Sequence, residues 1–251
     1  MTAVHRLARG CSLALLAGLF VVGAVHAQTV SYHLEAGGNA DLALRFSEGQ
    51  IGILEKLNRA DRRALPRLRQ LVVPDQWPDD ERALSPMPRR YGAIGHLSKA
   101  LIVSLPDQVF GAYERGDLVR WGPISSGADG RTTPPGLYHL NWRATGHVSS
   151  VNPDWFMPWY FNFDNAHGHA FHEYDLPGTP ASHGCVRLLQ RDAQWLYEWG
   201  DEWQLDAGGA VLTPGTTVVL FGSYRFGAPP PWRAPTALNP PVQLPPAVVE
   251  K

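Results

Sequence analysis

The sequence predicts a mostly β protein with a few helices, an α+β chain, and three observations lead there. Residues 97–125 alternate apolar and polar side chains over short runs, with Arg115-Gly116-Asp117 placed as a turn between two of them. GLYHLNWRA (136–144) and TTVVLFG (216–222) repeat that texture further along, each reading as one strand. Between them, RDAQWLYEWGDEW sets Trp195, Trp199 and Trp203 four residues apart, the spacing of one helix face and of core packing.

Taken in order, the chain opens with Arg6 and Arg9 ahead of an apolar run from Leu13 to Val25, then Val25-His26-Ala27 before Gln28. This is the pattern of a secretory signal peptide over residues 1–27. The apolar run is shorter than the roughly 20 residues of a membrane-spanning helix, so the expectation is an exported, cleaved protein of the periplasm or cell wall with no membrane span. Cys11 precedes the apolar run and does not read as a lipid-attachment site. The formal charge is −1 for the whole chain and −3 once the two arginines of residues 1–27 are gone, a balance that gives no reason to expect nucleic acid.

Residues 28–92 read as a helical N-terminal region and linker. ILEKLNRADRRALPRLRQL (53–71) has broadly helical spacing and predicts two short helices. LNRAD (57–61) with LVVPD (71–75) bears a partial resemblance to the carbohydrate-binding LysM module, and residues 75–92 form a proline-punctuated linker. The alternating, strand-forming texture fills residues 97–222. Residues 223–251, dense in proline, predict a flexible tail.

The chemistry centres on PASHGCVRL (180–188). Loss of Cys11 with the signal leaves Cys185 unpaired in a compartment where disulfides form. A buried inert thiol or an intermolecular disulfide would account for it. Its surroundings favour a nucleophile, because a thiol acts as thiolate and needs a base, and His167, His169, His172 and His183 all lie close upstream. Zinc fits less well: His169-x-x-His172 and the two-residue step from His183 to Cys185 do not match ordinary ligand spacings, so no metal is expected. Gly184 permits a sharp turn that presents amides to an oxyanion. Arg187 offers a planar fork to a substrate carboxylate. With no phosphate-cradling glycine loop, no cofactor is expected.

SHGCVR (182–187), preceded by LPGTPA (176–181), closely resembles the signature of the L,D-transpeptidase (YkuD-type) catalytic domain; SSGADGRTTPPGLYHL (125–140) and MPWYFNF (157–163) are similar to two further segments of that family. The resemblance implies a β-sandwich-like catalytic domain acting on peptidoglycan stem peptides. In that family a cysteine expels D-Ala from a donor tetrapeptide, and an amine acceptor (a second stem, a D-amino acid or a protein) resolves the thioester. Carried over, Cys185 is the nucleophile and His172 the general base, with His167 its rival. The third member is the backbone carbonyl of Glu173, where the family usually has glycine, and the Glu173 carboxylate either raises the imidazole's pKa or lines the acceptor pocket. His183 and Gly184 support the oxyanion region, while Arg187, Ser182 and Tyr160 contact substrate. A cysteine hydrolase on the same scaffold and a non-catalytic peptidoglycan-binding protein are the alternatives.

Overall fold

The computed structural model describes residues 30–38 and 41–246, so the signal-peptide segment lies outside the described residues. The N-terminal region comprises β1 (Tyr32–Ala36), α1 (Leu42–Arg45), α2 (Glu48–Asn58) and β2 (Gln70–Pro74), with β1 and β2 paired antiparallel. It is therefore a strand–helix–helix–strand unit and not simply helical. Ser47 and Gln50 form a reciprocal capping box that starts α2. The helix stops at Arg59, which takes a left-handed backbone (φ 53°), so the helical spacing through residue 71 does not continue as helix. Pro66 instead falls in a single 3-10 turn at Leu65–Arg67.

The rest of the chain builds β3 (Lys99–Ser104), β4 (Val109–Glu114), β5 (Asp117–Ser125), β6 (Gly136–His139), β7 (Arg143–Val148), β8 (Phe156–Asp164), β9 (His169–Glu173), β10 (Val186–Leu188), α3 (Gln190–Trp199), β11 (Gln204–Leu205), β12 (Val211–Thr213), β13 (Thr217–Phe221), β14 (Arg233–Ala234) and β15 (Ala237–Leu238). Nine of these strands form one sheet in the order β6-β13-β3-β4-β5-β10-β9-β8-β7. The Arg115-Gly116 turn between β4 and β5 has positive φ at both residues (49° and 82°), the two-residue hairpin that matches strand twist.

GLYHLNWRA is two strands, not one. Residues 140–142 break it, and they do so by pairing with both ends of the sheet. Leu140 N–H bonds the Thr216 carbonyl beside β13, while Asn141 N–H bonds Asn162 O and Asn162 N–H bonds Trp142 O beside β8. The sheet thus curls so that its two edge strands are joined, which protects backbone groups that an open edge would expose.

Strand β3 is apolar from Ala100 to Val103 because both of its faces are buried there. Leu101 and Val103 join Phe110, Phe161, Phe171, Val186 and Val218 in one cluster, on which α3 lays Ala193 and Leu196. Ala100 and Ile102 face the other, with Val109, Tyr113, Trp121, Leu57, Leu84, Met87 and Val242. Trp195 and Trp199 stack at 5.0 Å along α3 and are partly buried. Trp203 falls outside the helix, which ends at Trp199 ahead of Gly200.

Two segments expected to be loose are packed. Leu84, Met87 and Tyr91 of the proline-punctuated linker are buried in the second cluster, so residues 75–92 form a strap across the sheet. The proline-dense segment after residue 222 is also held through residue 246. Proline removes ladder donors but leaves carbonyls and side chains free to dock. Trp232 is 1% exposed and lies over the Arg59 guanidinium at 5.0 Å. Asn239 accepts from Arg59 Nη2 (3.1 Å) and donates to the Leu84 carbonyl (3.0 Å), and Tyr91 donates to the Pro245 carbonyl (2.5 Å). Arg59 is fully buried, which lowers its pKa to about 9. It donates further to the carbonyls of Lys56, Leu57 and Asp107, so the N-terminal unit, the β3–β4 turn and the C-terminal segment meet on one guanidinium.

Trp232→Ala is expected to lower the unfolding free energy in urea by about 3–5 kcal/mol, the usual cost of emptying a large aromatic site. A loss below about 1 kcal/mol, the scale of a surface change, would mean that the segment is detached in solution.

Candidate active site

The site depends on a short parallel pairing. β9 and β10 run side by side with Val186 opposite Phe171, Arg187 opposite His172 and Leu188 opposite Glu173. Parallel neighbours need a crossover, usually a helix. Here the crossover, residues 174–185, has none, and it is held from outside at two places. On one side Ala60 bridges Pro177, Asp61 N–H bonds Leu176 O (2.8 Å), and the Asp61 carboxylate accepts from Leu176 N–H (2.7 Å). On the other, Ala181 and Ser182 both donate to Ser126 O, Ala128 donates back to Ser182 O, and Ser125 Oγ donates to Thr179 O. The SSG and TTPPG segments therefore act as a cradle: Thr133 Oγ1 donates to Gly184 O and accepts from Gly127 N–H, both at 2.9 Å.

Cys185 is free and half-buried at the end of this crossover. It lines a cavity of about 200 Å³ together with His172, His183, Arg187, Tyr160 and Trp155. His172 is buried, and its Nδ1 sits 2.9 Å from the Glu173 carbonyl. A carbonyl only accepts, so Nδ1 carries the proton and Nε2 holds the lone pair. His167, the rival base, is 66% exposed at its side chain and is bound instead to Asp164 at 2.8 Å.

Other predicted residues behave differently from expectation. Ser182 does not present its hydroxyl to a ligand: Oγ donates to Cys185 O (2.5 Å) and accepts from Gly184 N–H (3.1 Å). That second bond also occupies the Gly184 amide, so Gly184 is not a free oxyanion donor. Its glycine is required by conformation, with φ at 117° and a Cβ position 2.4 Å from His169 Nε2. His183 is directed to the Arg131 guanidinium and packs on Trp155 at 4.5 Å. The Glu173 side chain lines a second cavity of about 440 Å³, shared with Asp61, Arg63 and Asp175, and does not face the thiol. It contributes no charge effect on His172. Tyr160 is buried, packed against His147 at 4.4 Å with the rings tilted by 39°, and donates to Gly168 O at 3.3 Å. Arg187 packs over Tyr174 at 4.5 Å and donates to Asp175 O at 3.3 Å. Sequence reasoning missed Asp61, Thr133, Trp155 and the packing role of His169; only the positive-φ demand of a glycine inside SHGC pointed toward such a neighbour.

Burial sets the electrostatics. It lowers the His172 pKa to about 4, partly opposed by the Glu173 carbonyl, with Arg187 lowering it further. Burial likewise raises the Cys185 thiol, opposed by the Ala170 backbone N–H and by Arg187. Both shifts disfavour a resting thiolate–imidazolium pair and leave thiol and imidazole neutral.

Because an unfolded histidine protonates near its ordinary value of 6.5 and the buried one only near 4, His172 contributes stability that is complete above about pH 6.5 and lost as pH falls toward 4. Chemical denaturation between these limits should show His172→Gln flattening the acid-side decline by up to about 3 kcal/mol. Identical slopes in the two proteins would contradict a buried neutral imidazole. Iodoacetamide alkylation of Cys185 should titrate above the ordinary thiol range, and Arg187→Gln should move it higher and slow the reaction at pH 8. A midpoint at or below pH 7 would establish a resting ion pair.

Residues 98–220 match the family model described as the L,D-transpeptidase catalytic domain, YkuD. Among solved structures, an L,D-transpeptidase from Xylanimonas cellulosilytica is 30% identical, the match covering 68% of this chain and 78% of that one, with a TM-score of 0.43. One from Stackebrandtia nassauensis is 28% identical over 51% of this chain and 57% of that one, TM-score 0.41. L,D-transpeptidase 1 of Mycobacterium tuberculosis is 19% identical over 50% and 62%, TM-score 0.39. The chain thus spans less than two thirds of the latter two relatives, and no curated protein matches it. The assignment rests on the sequence match and not on these superpositions, and by that match the chain belongs to the L,D-transpeptidase (YkuD) family.

Proposed function

We propose that the protein is an exported cysteine L,D-transpeptidase that transfers a peptidoglycan stem peptide through a thioester. The observation that carries this reading is the buried His172, whose Nδ1–H is fixed on the Glu173 carbonyl, in one cavity with the Cys185 thiol. His172 Nε2 takes the thiol proton as Sγ attacks the carbonyl preceding the terminal D-Ala. The tetrahedral intermediate collapses, the C–N bond breaks, and the imidazolium returns its proton to the departing D-Ala amine. An acceptor amine then attacks the thioester, gives a proton to His172 and releases the thiol. Arg187, beside the thiol, stabilises negative charge on sulfur or on the donor.

The Glu173 carboxylate, in the second cavity, is suited to an ammonium-bearing acceptor approaching from the N-terminal unit. The strand–helix–helix–strand unit would hold wall glycan, in keeping with its partial LysM resemblance, and the protein would act in the periplasm or cell wall. Among the described residues no helix is long and apolar enough to cross a membrane.

Mass spectrometry of purified disaccharide tetrapeptide incubated with the protein tests the reading, with Cys185→Ala as control. A cross-linked dimer lacking one D-Ala, absent in the control, is the expected result. Tripeptide monomer alone would assign a hydrolase. Intact substrate with both proteins, alongside a reactive thiol, would remove this donor from the reading.

A further inference from the structure

We propose that Asp164, His167 and His169 form a site for a divalent transition-metal ion of the zinc type, built into the turn between β8 and β9. In the sequence, spacing pairs His169 with His172. The fold separates their tasks, since His172 Nδ1 is taken by the Glu173 carbonyl, and it gathers His169 with His167 and Asp164 instead. One donor atom from each of the three lies within 4.8 Å of the other two. Asp164 Oδ2 is 2.8 Å from His167 Nδ1 and 3.5 Å from His169 Nδ1. Tetrahedral zinc with ligand bonds near 2.0–2.2 Å separates its donors by about 3.3 Å, a value that those two distances bracket. The remaining edge, between the imidazoles, must shorten, and the exposed His167 is free to rotate.

Two further observations point to a ligand and not merely to a turn. Asp164 Oδ1 already caps the turn, accepting from Ala166 N–H (3.0 Å) and His167 N–H (3.3 Å), so Oδ2 is the oxygen left to project between the rings. His169 Nδ1 is buried and makes no well-formed hydrogen bond, the Asp164 carboxylate standing off at 3.5 Å, a situation a metal between them would relieve. The two imidazoles stack with planes 18° apart and centroids 5.5 Å apart, so their Nδ1 atoms face the same carboxylate oxygen. One carboxylate and two imidazoles make a borderline donor set that suits zinc, copper or nickel and leaves coordination positions for water.

The location gives the site its interest. The opposite nitrogen of His169 lies against Gly184, and Gly168 O, in the same turn, is 3.8 Å from Cys185 Sγ. An ion here would fix the turn that backs the thiol-bearing loop without using the thiol as a ligand.

The test is zinc binding to the reduced full chain, measured by competition with a chromophoric chelator, for the native protein and for Cys185→Ala, His167→Ala and Asp164→Asn. The His167 side chain is largely exposed, and asparagine keeps an oxygen to cap the turn, so both variants should melt like the native protein. The expected result is one equivalent of zinc bound by the native protein and by Cys185→Ala, with affinity reduced at least about tenfold by each of the other two changes. Absence of binding, binding insensitive to both His167→Ala and Asp164→Asn, or binding abolished by Cys185→Ala would overturn the proposal. None of these outcomes depends on whether the protein is a transpeptidase.

Discussion

The whole arrangement hangs on three residues of parallel pairing between β9 and β10. This register sets His172 beside Arg187 and delivers Cys185 to the strand end. A parallel pair ordinarily secures its crossover with a helix that packs on the sheet. The crossover here is irregular, and its geometry is imposed by neighbours: the Asp61 loop on one flank and the Ser125–Ala128 segment on the other. The N-terminal unit and the segment after β5 are in this sense parts of the candidate site, because the loop they hold has little structure of its own.

The electrostatics follow from the same enclosure. A cavity that fixes an imidazole on a backbone carbonyl also dries it, and a dry imidazole resists protonation. The consequence is a protonated thiol and an imidazole that is unprotonated throughout the neutral range. Arg187 and the Ala170 amide are the groups that favour negative charge on the Cys185 sulfur, against the burial that opposes it.

How much of this could be read from the sequence depended on the range of the forces involved. Local signals were legible: the Arg115-Gly116 turn, strands β3 to β5 and β13, and the SHGC segment that the family match spans. Signals needing a distant partner were not. Ser182 looked like a substrate contact until the fold showed its hydroxyl closing the Cys185 loop. GLYHLNWRA read as one strand because alternation does not reveal that residues 140–142 must reach both ends of a curled sheet. Trp203 shared a helical spacing with Trp195 and Trp199, but Gly200 ended the helix first. Proline density suggested a tail because composition reports what a segment cannot do, namely join a ladder, and says nothing of a Trp232 docked on Arg59.

That last contact bears on how the molecule is assembled. Arg59 and Asn239 are 180 residues apart in sequence, and the guanidinium between them is fully enclosed. A chain emerging N-terminus first must keep Arg59 hydrated, with its unit undocked, until nearly all the remaining residues have appeared. Contacts of such long range slow folding, since loop closure comes before its reward. The unit that is made first is therefore finished last. A chain cut short of the C-terminal segment would leave Arg59 without Asn239 and Trp232, on the same unit whose Asp61 staples the crossover.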